Sequence, residues 1–319
     1  MILSKTPLRI SFVGGGTDYF TDFETHGRVI VTTINKYLYV LLNKKYDQNI
    51  RVSYSETENV KNISSIKHVL IRETLKNFKI NNGVEVVTSA DIPSSGSGLG
   101  SSSALTVGLT NAINKFKNLK LNKKNLAKIS CKIEVEKCLK PIGMQDQYST
   151  AFGGFNKIEF KKKDIIVKKI ILPKKRLNLF KKNLLLFYTG INRKADKILL
   201  KIKKNNKQFK HFYKLVDLVD NFEHELIHGN LMNIGEILHE NWMLKKDLSS
   251  KVSTININEI YKNAINAGAK GGKLLGAGGG GYLLFFANQN KHSKIIKSLT
   301  KLNLIDFDFE NDGSQAFSL

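Results

Sequence analysis

Cysteine is almost missing from this chain of 319 residues: Cys131 and Cys138 are the whole supply. Two cysteines make a poor disulfide framework, and their spacing matches neither a metal clip nor a C-x-x-C redox pair, so a reducing cytoplasm is the expected setting. Long apolar runs are also lacking. No stretch approaches the roughly 18 residues needed to cross a bilayer, and 1-MILSKTPLRISF-12 has neither the apolar core nor the cleavage site of a secretion signal. No membrane partner is expected. Arginine is scarce as well, at six of the 51 basic residues. The formal net charge of +24 invites a nucleic-acid reading. Base readout and bidentate phosphate grip favour arginine, however, and the lysines here are scattered among abundant Asn and Ile. Nucleic acid is therefore disfavoured as a partner, while a small anionic substrate suits the charge.

What remains is an ordinary globular composition, 41% hydrophobic and 9% aromatic, in a chain long enough for two domains. The first half alternates apparent strands (8-RISFV-12, 37-YLYVLLN-43, 50-IRVSY-54, 84–89) with helices near 65–78, 102–116 and 123–139. Residues 155–172 read as two strands around a charged turn at Lys161 to Lys163. The run 173-PKKRLNLFKKN-183, with a proline and five basic residues, is the candidate boundary between domains 1–173 and 174–319. Beyond it come a strand at 184-LLLFYT-189, a helical stretch from about 193 to 247, a helix near 256–267, a Gly-rich strand pair, a helix at 291–301 and a last strand at 305–309. The fold class is α+β, and no internal repeat is apparent.

Glycine is concentrated in three places. In 93-PSSGSGLGSSSAL-105, glycines and serines separate a β-branched strand from an amphipathic helix whose stripe is Leu105, Leu109, Ala112, Ile113 and Phe116. A small-residue loop entering a helix N-terminus presents backbone N–H groups where the helix dipole favours an anion, so a phosphate site is expected rather than a flexible turn with a serine cap. The other clusters are 7-PLRISFVGGGTDY-19 and 271-GGKLLGAGGGGYLLF-285. No Walker loop is present. A G-x-G-x-x-G does occur at Gly276, Gly278 and Gly281, but in the order helix, glycines, strand, which disfavours a dinucleotide-binding oxidoreductase; a glycine hinge between strands is the plain alternative. The segment 224-HELIH-228 matches the zinc protease motif, with Glu240 or Glu259 as a third ligand. Its apolar neighbours Val219, Phe222, Leu226 and Leu231 instead suggest a packed surface helix.

In this order the three glycine stretches resemble the GHMP kinases, the superfamily of galactokinase, homoserine kinase, mevalonate kinase and phosphomevalonate kinase. The segment 94-SSGSGLGSSSA-104 is similar to the family's ATP loop, 6-TPLRISFVGGGTDY-19 to its N-terminal sugar motif, and 273-KLLGAGGGGY-282 to its third motif. The resemblance implies a ribosomal-S5-like N-terminal domain, a ferredoxin-like C-terminal domain, and Mg-ATP between them. Within the superfamily, 143-GMQDQYSTAFGG-154, 188-YTGINRKA-195 and 239-HENWMLKK-246 resemble the sugar 1-kinases for fucose and, most of all, for D-glycero-D-manno-heptose 7-phosphate. Gly15 and Gly16 stand where galactokinase has Glu-His, which argues against galactokinase itself. The implied reaction phosphorylates the C1 hydroxyl of the heptose 7-phosphate to the 1,7-bisphosphate; a fucokinase-like enzyme of a neutral sugar is the alternative. A monomer or homodimer is expected.

Phosphoryl transfer asks mainly for positioning and charge neutralisation. The resemblance assigns the ATP phosphates to the backbone of Gly96, Ser97, Gly98, Leu99, Gly100, Ser101, Ser102 and Ser103. It gives Mg2+ to Ser102 and Glu134, and makes Asp146 the catalytic carboxylate with Arg9 as its cation. Gly15, Gly16, Thr17 and Asp18, together with Gly278 and Gly279, would hold the sugar. Arg193 and Lys246, or Lys245 beside it, would hold the substrate's own phosphate.

Overall fold

The structure, a computed structural model, describes residues 1–19, 26–93, 96–162, 164–191 and 207–319. Two long strands, β1 (Ile2–Val13) and β2 (Gly27–Lys44), form the spine of a mixed sheet. Their antiparallel register runs from Ile2↔Leu42 to Val13↔Ile30, with shifts between Pro7 and Leu8 and between Ser11 and Val13. Pro7 has no N–H to give a ladder, so a shift beside it is expected. Around this bend β2 changes neighbours. Residues 38–44 pair with β5 (Val84–Ala90), and residues 27–32 pair with β6 (Phe155–Phe160). The hairpin β3 (Ile50–Ser53) and β4 (Thr57–Val60) extends the sheet through a parallel pairing of β3 with β5. On the other side β7 (Ile165–Lys169) pairs with β6.

Four helices lie with this sheet: α1 (Val69–Asn77), α2 (Ser101–Phe116), α3 (Lys123–Cys131) and α4 (Gln145–Phe152). Helix α2 packs against both β1 and β2. It is buried from Ser103 through Ile113, polar Thr106, Thr110 and Asn111 included, as befits a helix enclosed on all sides.

The second sheet has the order β11 (Asn303–Ile305), β8 (Leu184–Tyr188), β10 (Tyr282–Phe286), β9 (Gly271–Leu274), all antiparallel among the described residues. With α6 (Lys207–Ile227), α7 (Asn233–Leu248) and α8 (Ile255–Asn266) between β8 and β9, and α9 (Gln289–Ser298) between β10 and β11, this is the ferredoxin-like arrangement. The chain then returns to the first sheet, where β12 (Phe309–Glu310) pairs with β2 and β13 (Gln315–Ser318) with β1.

Several elements differ from expectation. The basic run at 173–183 is a helix, α5 (Lys174–Lys182), because Phe180 anchors it. That ring is fully buried among Phe12 of β1, Phe155 of β6, Phe222 of α6 and Phe309 of β12, so aromatic packing joins the two halves. Burying each such ring is worth roughly 1.5–3 kcal/mol. The helix expected over 123–139 leaves α geometry after Cys131 and continues as a π turn over Lys132–Lys137. The long helical stretch before 247 is broken between Ile227 and Asn233. The strand expected at 305–309 resolves into β11 and β12, which serve different sheets.

Candidate active site

A cleft of about 1160 Å³ opens between the sheets. The β5–α2 loop, the third glycine stretch, Tyr54, His68, Lys140, Arg9 and Asp146 all line it. The Tyr54 and His68 rings meet edge to face at 4.7 Å, and Glu58 holds this corner by accepting from Tyr54 Oη and from the backbone N–H groups of Lys67 and His68.

The loop before α2 is shaped by close backbone approach. Gly98 has φ +76°, and a Cβ there would lie 2.4 Å from the Leu275 carbonyl oxygen in the third glycine stretch. A Cβ on Gly276 would reach Gly98 Cα at 2.3 Å, so the two loops touch through bare backbone. Gly100 is the N-cap of α2 and offers no side-chain cap. Ser101, Ser102 and Ser103, in the first turn where N–H groups have no helical carbonyl to bond, line the cleft. Gly96 and Ser97 line the cleft too. Leu99 is the exception in the expected phosphate cradle. Its side chain is buried, its N–H goes to Ser97 Oγ at 3.2 Å, and its carbonyl accepts the Arg9 N–H at 2.9 Å. It anchors the loop rather than facing the cleft.

Arg9 and Asp146 meet across 137 residues of sequence. Arg9 Nε donates to Asp146 Oδ1 at 2.8 Å and Nη2 to Oδ2 at 2.7 Å, a bidentate charge-assisted pair. The third guanidinium nitrogen, Nη1, donates to the Gly98 carbonyl at 2.5 Å, so one side chain ties the carboxylate to the glycine loop. The arginine side chain is 4% exposed and the carboxylate 24%, which leaves the carboxylate edge to the cleft.

The expected sugar residues divide. Gly15 and Gly16 are half-buried in the turn that follows β1, Gly15 near Ser11 Oγ and the Gln145 amide. Thr17, however, spends its hydroxyl on its own chain: it donates to the carbonyls of Gly14 and Arg28 and accepts from the Arg28 N–H. It locks the turn and offers no hydroxyl partner to a sugar. Asp18 is 2% exposed; its Oδ1 accepts from Gly16 N–H, and its Oδ2 accepts from Gln145 N–H, the first residue of α4. It thus caps the helix that carries Asp146. Burial, and to a lesser degree the Asp146 charge, push its carboxyl up to about 6.

Glu134, on the π turn, is fully buried. Its Oε2 accepts from Ser102 Oγ at 3.0 Å and its Oε1 from Gln147 Nε2 at 3.1 Å. Burial raises its pKa, opposed by Lys140 and by these hydroxyl and amide donors. A hydroxyl and a desolvated carboxylate oxygen beside a helix N-terminus fit magnesium, which prefers hard oxygens and keeps several waters. Among the described residues no group of three His, Cys, Asp or Glu side chains could hold a metal.

Sequence comparison decides the family. The GHMP kinase N-terminal domain matches residues 64–154, and the GHMP kinase C-terminal domain matches residues 222–303. The D-glycero-alpha-D-manno-heptose 7-phosphate kinase of Campylobacter jejuni is 32% identical over 100% of this chain and 99% of its own length. The chain belongs to the GHMP kinases. It is therefore an ATP-dependent phosphotransferase. The L-fucokinase/L-fucose-1-P guanylyltransferase of Bacteroides fragilis is 29% identical over 75% of the chain and 26% of its own length. A crystal structure of a D-glycero-D-manno-heptose 1-phosphate kinase from Bacteroides thetaiotaomicron superposes with a TM-score of 0.82 over 100% of this chain and 99% of that one, at 23% identity. The GHMP fold accounts for both sheets and for the cleft between them.

The C-terminal part of this GHMP kinase supplies cations that the sequence reading placed only loosely. Helix α7 has two faces that differ by one residue. Trp242 and Lys246 share one, with the Lys246 ammonium 5.8 Å over the indole. Asn241 and Lys245 share the other, and Lys245 Nζ donates to the carbonyls of Leu274 and Gly276. Burial, then the charge of Arg9, lower the Lys245 pKa to about 7. Of the two lysines, Lys245 is the one that reaches the third glycine stretch. Lys273, unremarked in the sequence, is 3% exposed and bridges the halves by donating to Phe12 O at 2.7 Å and Asn241 Oδ1 at 3.3 Å. Gly278 lines the cleft, whereas Gly279 turns its N–H to Val252 O at 2.8 Å. Arg193 lies outside the described residues.

The 224-HELIH-228 segment is a helix end. Arg176 donates to the carbonyls of Glu225, Leu226 and Gly229, and Glu225 Oε2 accepts from Asn230 N–H at 2.7 Å. His224, with a side chain 68% exposed, faces solvent. These contacts are those of a C-terminal helix cap.

No helix among the described residues is long and apolar enough to cross a membrane.

Proposed function

We propose that this GHMP kinase transfers the γ-phosphoryl group of Mg-ATP to the anomeric C1 hydroxyl of D-glycero-D-manno-heptose 7-phosphate, giving the 1,7-bisphosphate and ADP. The observation that carries the reading is the Arg9–Asp146 pair tied to the glycine loop through Gly98. The Campylobacter jejuni relative, similar from end to end, supports the sugar phosphate as acceptor.

In this reading the first turn of α2 and the loop backbone bind the ATP phosphates. Asp146 orients the C1 hydroxyl and takes its proton as that oxygen bonds to γ-phosphorus and the bond to the ADP oxygen breaks. Arg9 keeps Asp146 in place and neutralises charge on the transferring group. Magnesium, held by Ser102 and Glu134, would offset the charge of the ATP oxygens. Lys245, its pKa lowered to about 7 by burial and then by Arg9, keeps part of its charge at neutral pH beside the third glycine stretch. Asp18 holds α4 and through it Asp146. Arg193 would bind the remote phosphate of the sugar.

The test is ADP release with heptose 7-phosphate, free heptose and fucose, followed by phosphorus NMR of the product. The expected result is a preference of about ten- to a hundredfold in kcat/KM for the phosphorylated heptose, the worth of a charge-assisted contact, with the new phosphate coupled to H1. Equal use of phosphorylated and free sugars would move the assignment to a fucokinase-like enzyme of a neutral sugar.

A further inference from the structure

Lys140 is a side chain that neither the glycine motifs nor the transfer mechanism uses. The π turn ends with Cys138 N–H on the Ile133 carbonyl, and Lys140 N–H returns to the Glu134 carbonyl at 3.0 Å. Between them Leu139 adopts φ +51°, a left-handed conformation uncommon for a non-glycine residue. Pro141 follows and disfavours helical geometry at Lys140. This reversal folds Lys140 back over the turn that carries Glu134. Its ammonium donates to Ser102 Oγ at 2.6 Å and lies 4.0 Å from Glu134 Oε2. Those are the two oxygens that fit magnesium. The side chain is 22% exposed and lines the same cleft as the glycine loop.

Two cations on one hydroxyl oxygen repel strongly in a site of reduced dielectric. Ser102 cannot hold Lys140 at this distance and a divalent ion at bonding distance without rearrangement. We propose that Lys140 is a built-in counter-cation of the Ser102–Glu134 pair: it lets nucleotide phosphates bind without a metal, and it yields the two oxygens when Mg-nucleotide arrives. The inference rests on the assignment of magnesium to Ser102 and Glu134. It predicts a nucleotide affinity that depends only weakly on metal, because one positive charge replaces part of another.

The test is the affinity of full-length enzyme for a non-hydrolysable ATP analogue, measured by calorimetry once in excess magnesium and once in EDTA. The quantity of interest is the ratio of the two dissociation constants. In Lys140→Met that ratio should rise about ten- to a hundredfold over wild type, the worth of a charge-assisted hydrogen bond. Magnesium-loaded binding should change less than about threefold, which also shows the variant to be folded. Lys140→Arg should keep a ratio near wild type. Equal weakening of both constants in Lys140→Met would make Lys140 a plain phosphate contact and overturn the proposal, as would an unchanged ratio. A wild type that binds no nucleotide even with magnesium would overturn the proposed function and this inference together.

Discussion

Replacing Gly98 by alanine tests whether the two glycine loops work as one unit. At φ +76° an L-residue pays roughly 1–2 kcal/mol for the left-handed backbone. The added Cβ would also sit 2.4 Å from Leu275 O and 2.8 Å from Leu275 C, about 1 Å inside ordinary contact. Neither atom is the end of a flexible side chain: Leu275 is fully buried and its N–H is bonded to Tyr282 O at 2.9 Å. The loops must therefore part by about an ångström, carrying with them the Gly98 carbonyl that holds Arg9. A displacement of that size in a transfer site costs on the order of 10²-fold in rate. Gly154→Ala is the matched control. Its φ is +85°, but its Cβ would meet nothing nearer than Asn311 O at 3.5 Å. Both variants should lose roughly 1–2 kcal/mol of stability in urea unfolding. Only Gly98→Ala should lose nucleotide affinity, by about tenfold or more in calorimetry, and kcat by about 10²-fold. Nucleotide binding by Gly98→Ala within about threefold of wild type would refute the loop argument.

Asp18 titrates at about 6 in the fold against 3.8 ordinarily, so the folded state binds more protons between those values and stability falls as pH rises through that window. Stability of the wild type minus that of Asp18→Asn should thus drop by up to about 3 kcal/mol from pH 4 to pH 7, read from urea unfolding at each pH, and a flat difference would contradict the buried carboxyl. Lys245 titrates at about 7 against 10.5, so its charge costs stability fully below about 7, and the cost fades as pH rises toward 10.5. Lys245→Met should melt higher than wild type at pH 7, with the gain shrinking by pH 10, while kcat/KM falls about tenfold or more; a lower melting temperature at pH 7 would show that Lys245 is structural.

Much of the site was readable because its chemistry is written in backbone. Glycines at 98 and 276 mark where chains touch, and the stripe after Ser101 marks the helix whose N-terminus they serve. Arg9 and Asp146 were paired through family likeness, since nothing local to either names the other across 137 residues. Side chains whose meaning depends on helical phase were harder. Lys245 and Lys246 are adjacent letters, and only the packing of Trp242 shows which one turns inward. Thr17 looked like a sugar ligand because a turn threonine and a binding threonine have the same local sequence. Lys140 had no signal but Pro141, which ends helical geometry just where the π turn needs to reverse. Among 51 basic residues it could not be singled out.

In the proposed reaction Asp146, gripped by Arg9, serves the attacking hydroxyl rather than the nucleotide. Asp146→Asn keeps the shape and removes the charge, so the measurement is its kcat in the ADP-release assay beside its calorimetric affinity for an ATP analogue with magnesium. The kcat of the variant should fall by roughly 10²–10⁴-fold, with nucleotide affinity near that of the wild type. A loss of less than about tenfold, or a loss of nucleotide binding equal to the loss of rate, would contradict that role.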